Sequence, residues 1–293
     1  MGGRDTGHVP AGEHADTWLT TRPLLGLGGP ATRTRGLGPF VTFVEVERPN
    51  GVLARWDSRA HRKRDVGATP RGTWWDPRAR GWWIGVLFAL GSALFALGAL
   101  PTYADAVRPR TDSLTYFIGS LFFTAAGFLQ YRESVDSGPD GPAHGWGKVF
   151  AYRPQQIDWW ACGIQLIGTL FFNVSTVVAV SSDLSSTQAA HHVWRPDAVG
   201  SICFLIASGM AWFEVSHGWL SWSPRELSWW ITALNLVGSI AFGVSAIASF
   251  IVPSSGQLWN VELSNLGTFV GALCFLAGAI LLLPERTRPH AHS

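Results

Sequence analysis

One pattern constrains this chain more than any other, and it occurs three times at intervals of roughly seventy residues. Two adjacent tryptophans are followed by a glycine eight positions after the second, and by a phenylalanine four positions further on. The copies are Trp82-Trp83 with Gly91 and Phe95, Trp159-Trp160 with Gly168 and Phe172, and Trp229-Trp230 with Gly238 and Phe242. Self-similarity at such a period marks one structural unit used in tandem.

The pattern lies in sequence that water does not suit. Six runs contain no Asp, Glu, Lys, Arg or His: 82–100, 113–130, 159–182, 198–213, 227–252 and 263–283. Each is close to or above the roughly 18 apolar-dominated residues that cross about 30 Å of hydrocarbon as a helix. An all-α membrane protein with six transmembrane helices, arranged as three tandem helical hairpins, is the expected fold. The expected units are residues 81–135, 157–217 and 227–285, with a short tail at 286–293.

Charge distribution sets the expected orientation. Arg62, Lys63, Arg64, Arg71, Arg78 and Arg80 precede the first span; Arg132, Lys148 and Arg153 follow the second, Arg225 the fourth, and Arg286 and Arg288 the sixth. The other side carries only Arg108, Arg110 and Arg195. Twelve against three places both termini in the cytoplasm under the positive-inside rule, in a multi-pass protein of the cytoplasmic membrane. The basic segment before the first span is read as a topology signal with access to anionic headgroups. Cys162, Cys203 and Cys274 all fall within spans without metal-site spacing, and are read as packing residues.

Residues 1–40 are rich in Gly, Pro, Thr and Arg, lack the apolar core of a signal peptide, and are expected to be mostly disordered. Residues 41–80 form a cytoplasmic basic segment. Within it, Val-Thr-Phe-Val-Glu-Val-Glu and Val-Leu-Ala-Arg-Trp flank Asn50-Gly51, which predicts a short β-hairpin. An isolated hairpin is marginal in water, so this one needs a surface to lean on.

The second helix of each hairpin carries the same spacing: Gly119 before Phe123, Gly200 before Phe204, Gly271 before Phe275. Ten residues after each of these phenylalanines stands an acid, Glu133, Glu214 or Glu285. The unit is thus a hairpin opened by Trp-Trp and closed by Glu. Two crossings per unit give every copy the same orientation, compatible with a pseudo-threefold arrangement about the membrane normal and unlike the inverted repeats of many transporters.

A compact hairpin with Gly, a small residue and Phe on both helices resembles the YrhK-like domain, a two-helix membrane module. From about residue 80 to 285 the chain is similar to uncharacterised actinobacterial membrane proteins that carry such modules. The resemblance implies no activity, cofactor or ligand.

Gly and Phe four apart share a helix face, so a neighbouring backbone approaches at the glycine while the ring fills space a turn away. In lipid, such close packing replaces the missing hydrophobic drive between helices. Gly267 and Gly271 add a small-residue pair of the same spacing. The tryptophans suit interfacial anchoring. Fourteen residues from Gly119 to Glu133 return the helix to within about 40° of its starting face. The three Glu are therefore expected to point toward the bundle, accepting hydrogen bonds from indole N–H groups or capping helix N-termini, with solvated helix ends as the alternative. Pro284 weakens that expectation in the third copy.

Gln165, Asn173, Asn235 and Asn265 are polar residues inside spans. They are expected to hydrogen-bond between helices, or to line a polar cavity that would be asymmetric, because Phe88 stands where copies two and three have Gln165 and Asn235. Glu214 with His217, and His191 with His192, have spacings seen in metal sites but no further ligands to complete a shell. No phosphate-binding glycine loop, dinucleotide fingerprint or Gly-any-Ser-any-Gly elbow is present. No cofactor, catalytic residue or metal ligand is assigned. The expected partners are the lipid bilayer and a second copy or another membrane protein, not nucleic acid. A non-enzymatic structural or interaction module is the first reading, a carrier or channel for a neutral solute or lipid the second, and an interfacial enzyme using Glu214 and His217 the third.

Overall fold

The computed structural model describes residues 31–47, 51, 53–63, 74–137, 151–181, 184–216 and 222–285. Residues 1–30, Asn50, His217 and the tail 286–293 lie outside them, and with them the disorder expected for the first thirty residues and the Glu214–His217 pair.

Six helices are long and apolar enough to cross a membrane, which makes this a multi-pass membrane protein. They are α2 (Arg80–Gly98), α4 (Pro109–Asp136), α5 (Ile157–Ala179), α7 (Arg195–Ser216), α8 (Leu227–Ala248) and α9 (Val261–Glu285). The fourth span is extended at its start by a short helix α6 (Ser186–Ala189), held by a capping box between Ser185 and Gln188, and a π-helical turn over Ala190–Trp194. Another short helix, α3 (Pro101–Ala106), lies between α2 and α4 and is tied to α4 by a 2.7 Å hydrogen bond between the Tyr103 and Thr115 hydroxyls.

The six spans form a closed ring in chain order, α2 against α4, then α5, α7, α8 and α9, which returns to α2. Six phenylalanines fill the axis in two layers. Phe95, Phe172 and Phe242 form a triangle with centroid separations of 6.3, 6.2 and 6.2 Å. Phe123, Phe204 and Phe275 form a second, at 6.2, 6.3 and 5.7 Å. Within each hairpin the two rings lie 5.2–5.4 Å apart. Near-equilateral triangles are the signature of a threefold axis.

The glycines explain why the rings fit. A Cβ on Gly91 would lie 2.9 Å from the Phe123 ring, and one on Gly119 would lie 2.8 Å from the Phe95 ring. The exchange recurs as Gly168 with Phe204 and Gly200 with Phe172, and as Gly238 with Phe275 and Gly271 with Phe242. Every one of these glycines is buried. All six notches face the neighbouring helix, as the spacing predicts, so dispersion contacts between close backbones hold the bundle.

Before the spans, β1 (Ala31–Leu37), β2 (Phe40–Glu47) and β3 (Leu53–Asp57) make an antiparallel sheet in that order. The hairpin expected around Gly51 is the β2–β3 pair, and Gly51 takes a left-handed φ of 74°. Strand β1 corrects the expectation of disorder up to residue 40. Its Thr/Arg-rich sequence has no apolar alternation because it is an exposed edge strand with two register shifts. Thr42, Val44 and Val46 of β2 are buried in a row. The sheet leans on helix α1 (Ser58–Arg62), which follows β3 directly, and on α5.

Candidate functional site

The chemistry of the described residues concentrates where the tryptophan pairs and the three glutamates meet, at one end of the bundle. There α1 presents cations at Arg59, Arg62 and, in the turn that follows, Lys63. Positions i, i+3 and i+4 share a helix face. Each cation takes one of the recurring acids. Arg59 donates from Nε and Nη2 to Glu285 at 2.8 and 3.1 Å. Arg62 donates from Nη1 and Nη2 to Glu214, both at 3.0 Å. Lys63 Nζ donates to Glu133 at 2.8 Å.

Two further contacts gather on the middle pair. Arg62 Nη1 lies 2.8 Å from Asp158 Oδ2, and Ser58 Oγ donates to Glu214 Oε1 at 2.6 Å. The Arg62 side chain is 4% exposed and that of Glu214 2%, so this is an ion pair removed from water. Two-bond guanidinium–carboxylate pairing is what makes such burial tolerable. Burial alone would pull the Arg62 pKa down, but Glu214 and Asp158 hold it well above the ordinary guanidinium range. At Arg59 burial likewise acts downward and Glu285 outweighs it.

The glutamates therefore face the bundle as the helix geometry predicts, and Pro284 does not prevent it in the third hairpin, where α9 continues to Glu285. Their partners differ from those expected. The indoles bond elsewhere: the second tryptophan of each pair donates to a proline carbonyl six residues earlier, Trp83 to Pro77 at 2.9 Å, Trp160 to Pro154 at 3.1 Å and Trp230 to Pro224 at 2.9 Å. An aromatic ring two residues before that proline packs edge-on against the first tryptophan, in the pairs Trp75–Trp82, Tyr152–Trp159 and Trp222–Trp229, at 5.0, 5.5 and 5.1 Å. Sequence reading missed this lead-in, although the spacing aromatic, any, Pro, any four, Trp-Trp is visible in all three copies. It sets the orientation of the rings, with Trp82 and Trp229 buried and Trp83 and Trp230 turned outward.

Between α1 and the phenylalanine layers lies a cavity of about 40 Å³. Arg62, Asp158 and Glu214 form its mouth, Phe88 and Phe275 stand on its apolar wall, and Gln130, Gln165, Asn235 and Cys162 also line it. The volume admits water. Among the described residues Asn235 and Gln165 make no hydrogen bond between helices, contrary to one of the two expectations; they line the asymmetric cavity of the other. Gln130 Oε1 has no partner among the described residues. Asn173 does bond between helices, from Nδ2 to Thr124 Oγ1 at 2.8 Å. His191 and His192 lie exposed at the opposite end with ring centroids 6.4 Å apart. Among the described residues no group of three or more His, Cys, Asp or Glu is placed to hold a metal ion.

No family model matches the chain, and no curated protein or solved structure is significantly similar to it.

Proposed function

We propose that this chain is a non-enzymatic membrane module, in which three tandem copies of one hairpin form a closed bundle that holds the N-terminal sheet and α1 against one membrane face. One observation carries the reading: two cations of a short helix and a third in the turn that follows it are matched one to one with the acid that ends each hairpin. An arrangement of that kind serves to dock a segment. The lead-in, the glycine–phenylalanine exchange and the terminal Glu recur in every hairpin, which supports three tandem copies of one unit, and a YrhK-like module is the unit we infer. The docking face is cytoplasmic and both termini are cytoplasmic. Arg62, Lys63, Arg80 and Arg132 are held in ion pairs, yet removing these four from the twelve cations of that side leaves eight against three.

Limited proteolysis of the full chain in liposomes tests docking. Residues 53–63 should resist cleavage in the native protein and become cleavable in Glu133→Gln/Glu214→Gln/Glu285→Gln, with the six spans intact. Equal cleavage of both proteins refutes the reading.

The cavity favours a second reading, a carrier for a neutral solute. The two phenylalanine layers oppose it, because they close the axis above the cavity. Stopped-flow flux of glycerol or urea above that of protein-free liposomes would select it.

A further inference from the structure

The walls that hold Arg62 belong to the bundle, whereas Arg62 belongs to α1, which precedes the first span. Glu214 sits at the end of α7 and Asp158 at the start of α5, so both acceptors are carried by spanning helices and neither by α1. Helix α1 itself reads Ser-Arg-Ala-His-Arg and contains no large apolar side chain. Its hold on the mouth is therefore polar, made of groups that rehydrate on leaving, and a buried ion pair contributes little net stability relative to its solvated parts. Immediately inside, Gln165, Asn235 and the unpartnered Gln130 Oε1 offer amide acceptors and donors that α1 does not use. A carboxylate pair that grips a planar cation, backed by amides lining one cavity, has the make-up of a binding site, and the chain's own side chain occupies its entrance.

We propose that the mouth of the bundle is a guanidinium-binding site built by Glu214 and Asp158, that Arg62 is its resident tethered ligand, and that a small guanidinium compound with a second polar group can take its place, uncovering the axial cavity. The ligand class follows from the contacts. Two parallel N–H donors meet Glu214, a third contact goes to Asp158, and the lining amides receive the remaining polar group. A bare ammonium cannot reproduce the planar fork. This inference goes beyond the docking reading, since α1 could be docked permanently and the bundle could still be a non-enzymatic module.

Cys162 provides the reporter, because it lines the cavity and is 3% exposed. In full-length protein with Cys203→Ala and Cys274→Ala, the rate of Cys162 modification by a charged methanethiosulfonate in liposomes reads the state of the mouth. Arg62→Ala should accelerate modification at least tenfold, and millimolar agmatine should slow it again at least fivefold. Butylamine at equal ionic strength should not, and agmatine should have no effect once Glu214→Gln and Asp158→Asn are added. Arg62→Met, which retains the aliphatic stem, replaces the alanine variant if that one does not fold. Unchanged modification on removing Arg62 overturns the plug. Failure of agmatine to protect, or equal protection by butylamine, overturns the guanidinium site. The proteolysis result for docking stands or falls separately.

Discussion

Gly271→Ala and Gly243→Ala differ by the position of a single methyl group and should move stability in opposite directions. In both, replacing a mid-helix glycine removes a conformational penalty of about 0.5–1 kcal/mol. At Gly243 the new Cβ meets nothing within 4 Å, so that gain remains. At Gly271 it would stand 3.0 Å from the Gly238 carbonyl oxygen and 3.0 Å from the Phe242 ring. Neither gives way easily, since one is backbone and the other is locked in the axial layer, and overpacking of this kind costs about 1–3 kcal/mol. The net expectation is a loss of about 1–2 kcal/mol at Gly271 against a gain of up to about 1 kcal/mol at Gly243. Gly238→Ala, on the same helix as Gly243, should follow Gly271. The assay is reversible unfolding of the full chain in mixed micelles by added sodium dodecyl sulfate, followed by tryptophan fluorescence. If Gly271→Ala and Gly238→Ala are as stable as Gly243→Ala, close backbone packing is not what holds the hairpins, and the reasoning fails.

Two further contrasts use the same assay. Arg62→Ala leaves Glu214 and Asp158 buried without a cation and should cost about 3–5 kcal/mol, whereas Arg80→Ala, whose 2.7 Å pair with Asp136 is 39% exposed at the arginine, should cost no more than about 1 kcal/mol; adding Glu214→Gln and Asp158→Asn to Arg62→Ala should recover part of the loss. Phe204→Ala empties a place in the axial layer where the ring is 1% exposed and should cost about 3–5 kcal/mol, while Phe250→Ala, 40% exposed, should cost far less.

The spans, their pairing and the inward glycines were legible because lipid imposes a length, and close packing a spacing, on a single chain segment at a time. Glu133, Glu214 and Glu285 were legible as inward-facing for the same reason: fourteen residues of helix return to one face whatever lies across from it. Their partners were not, because Arg59, Arg62 and Lys63 come from a segment remote in sequence, 226 positions from Glu285 in the case of Arg59. A cluster of cations before a span also satisfies the orientation rule, and that explanation absorbed it. The clue available was arithmetic, three unpaired acids at equivalent depth and three cations on one face of a nearby helical turn. Strand β1 stayed hidden because an edge strand needs no apolar alternation, and what defines it is pairing with β2.

Asp158 immediately precedes a tryptophan pair, and the residues in the same place in the other hairpins are Gly81 and Ser228. Three alike acids would by themselves accept α1 equally well in any of three rotations, and a lone fourth acid favours one of them. A ring assembled from three separate identical hairpins could never own such a residue in a single copy. Joining the hairpins into one polypeptide is what allows a lopsided segment to find a single seat on a nearly symmetrical rim.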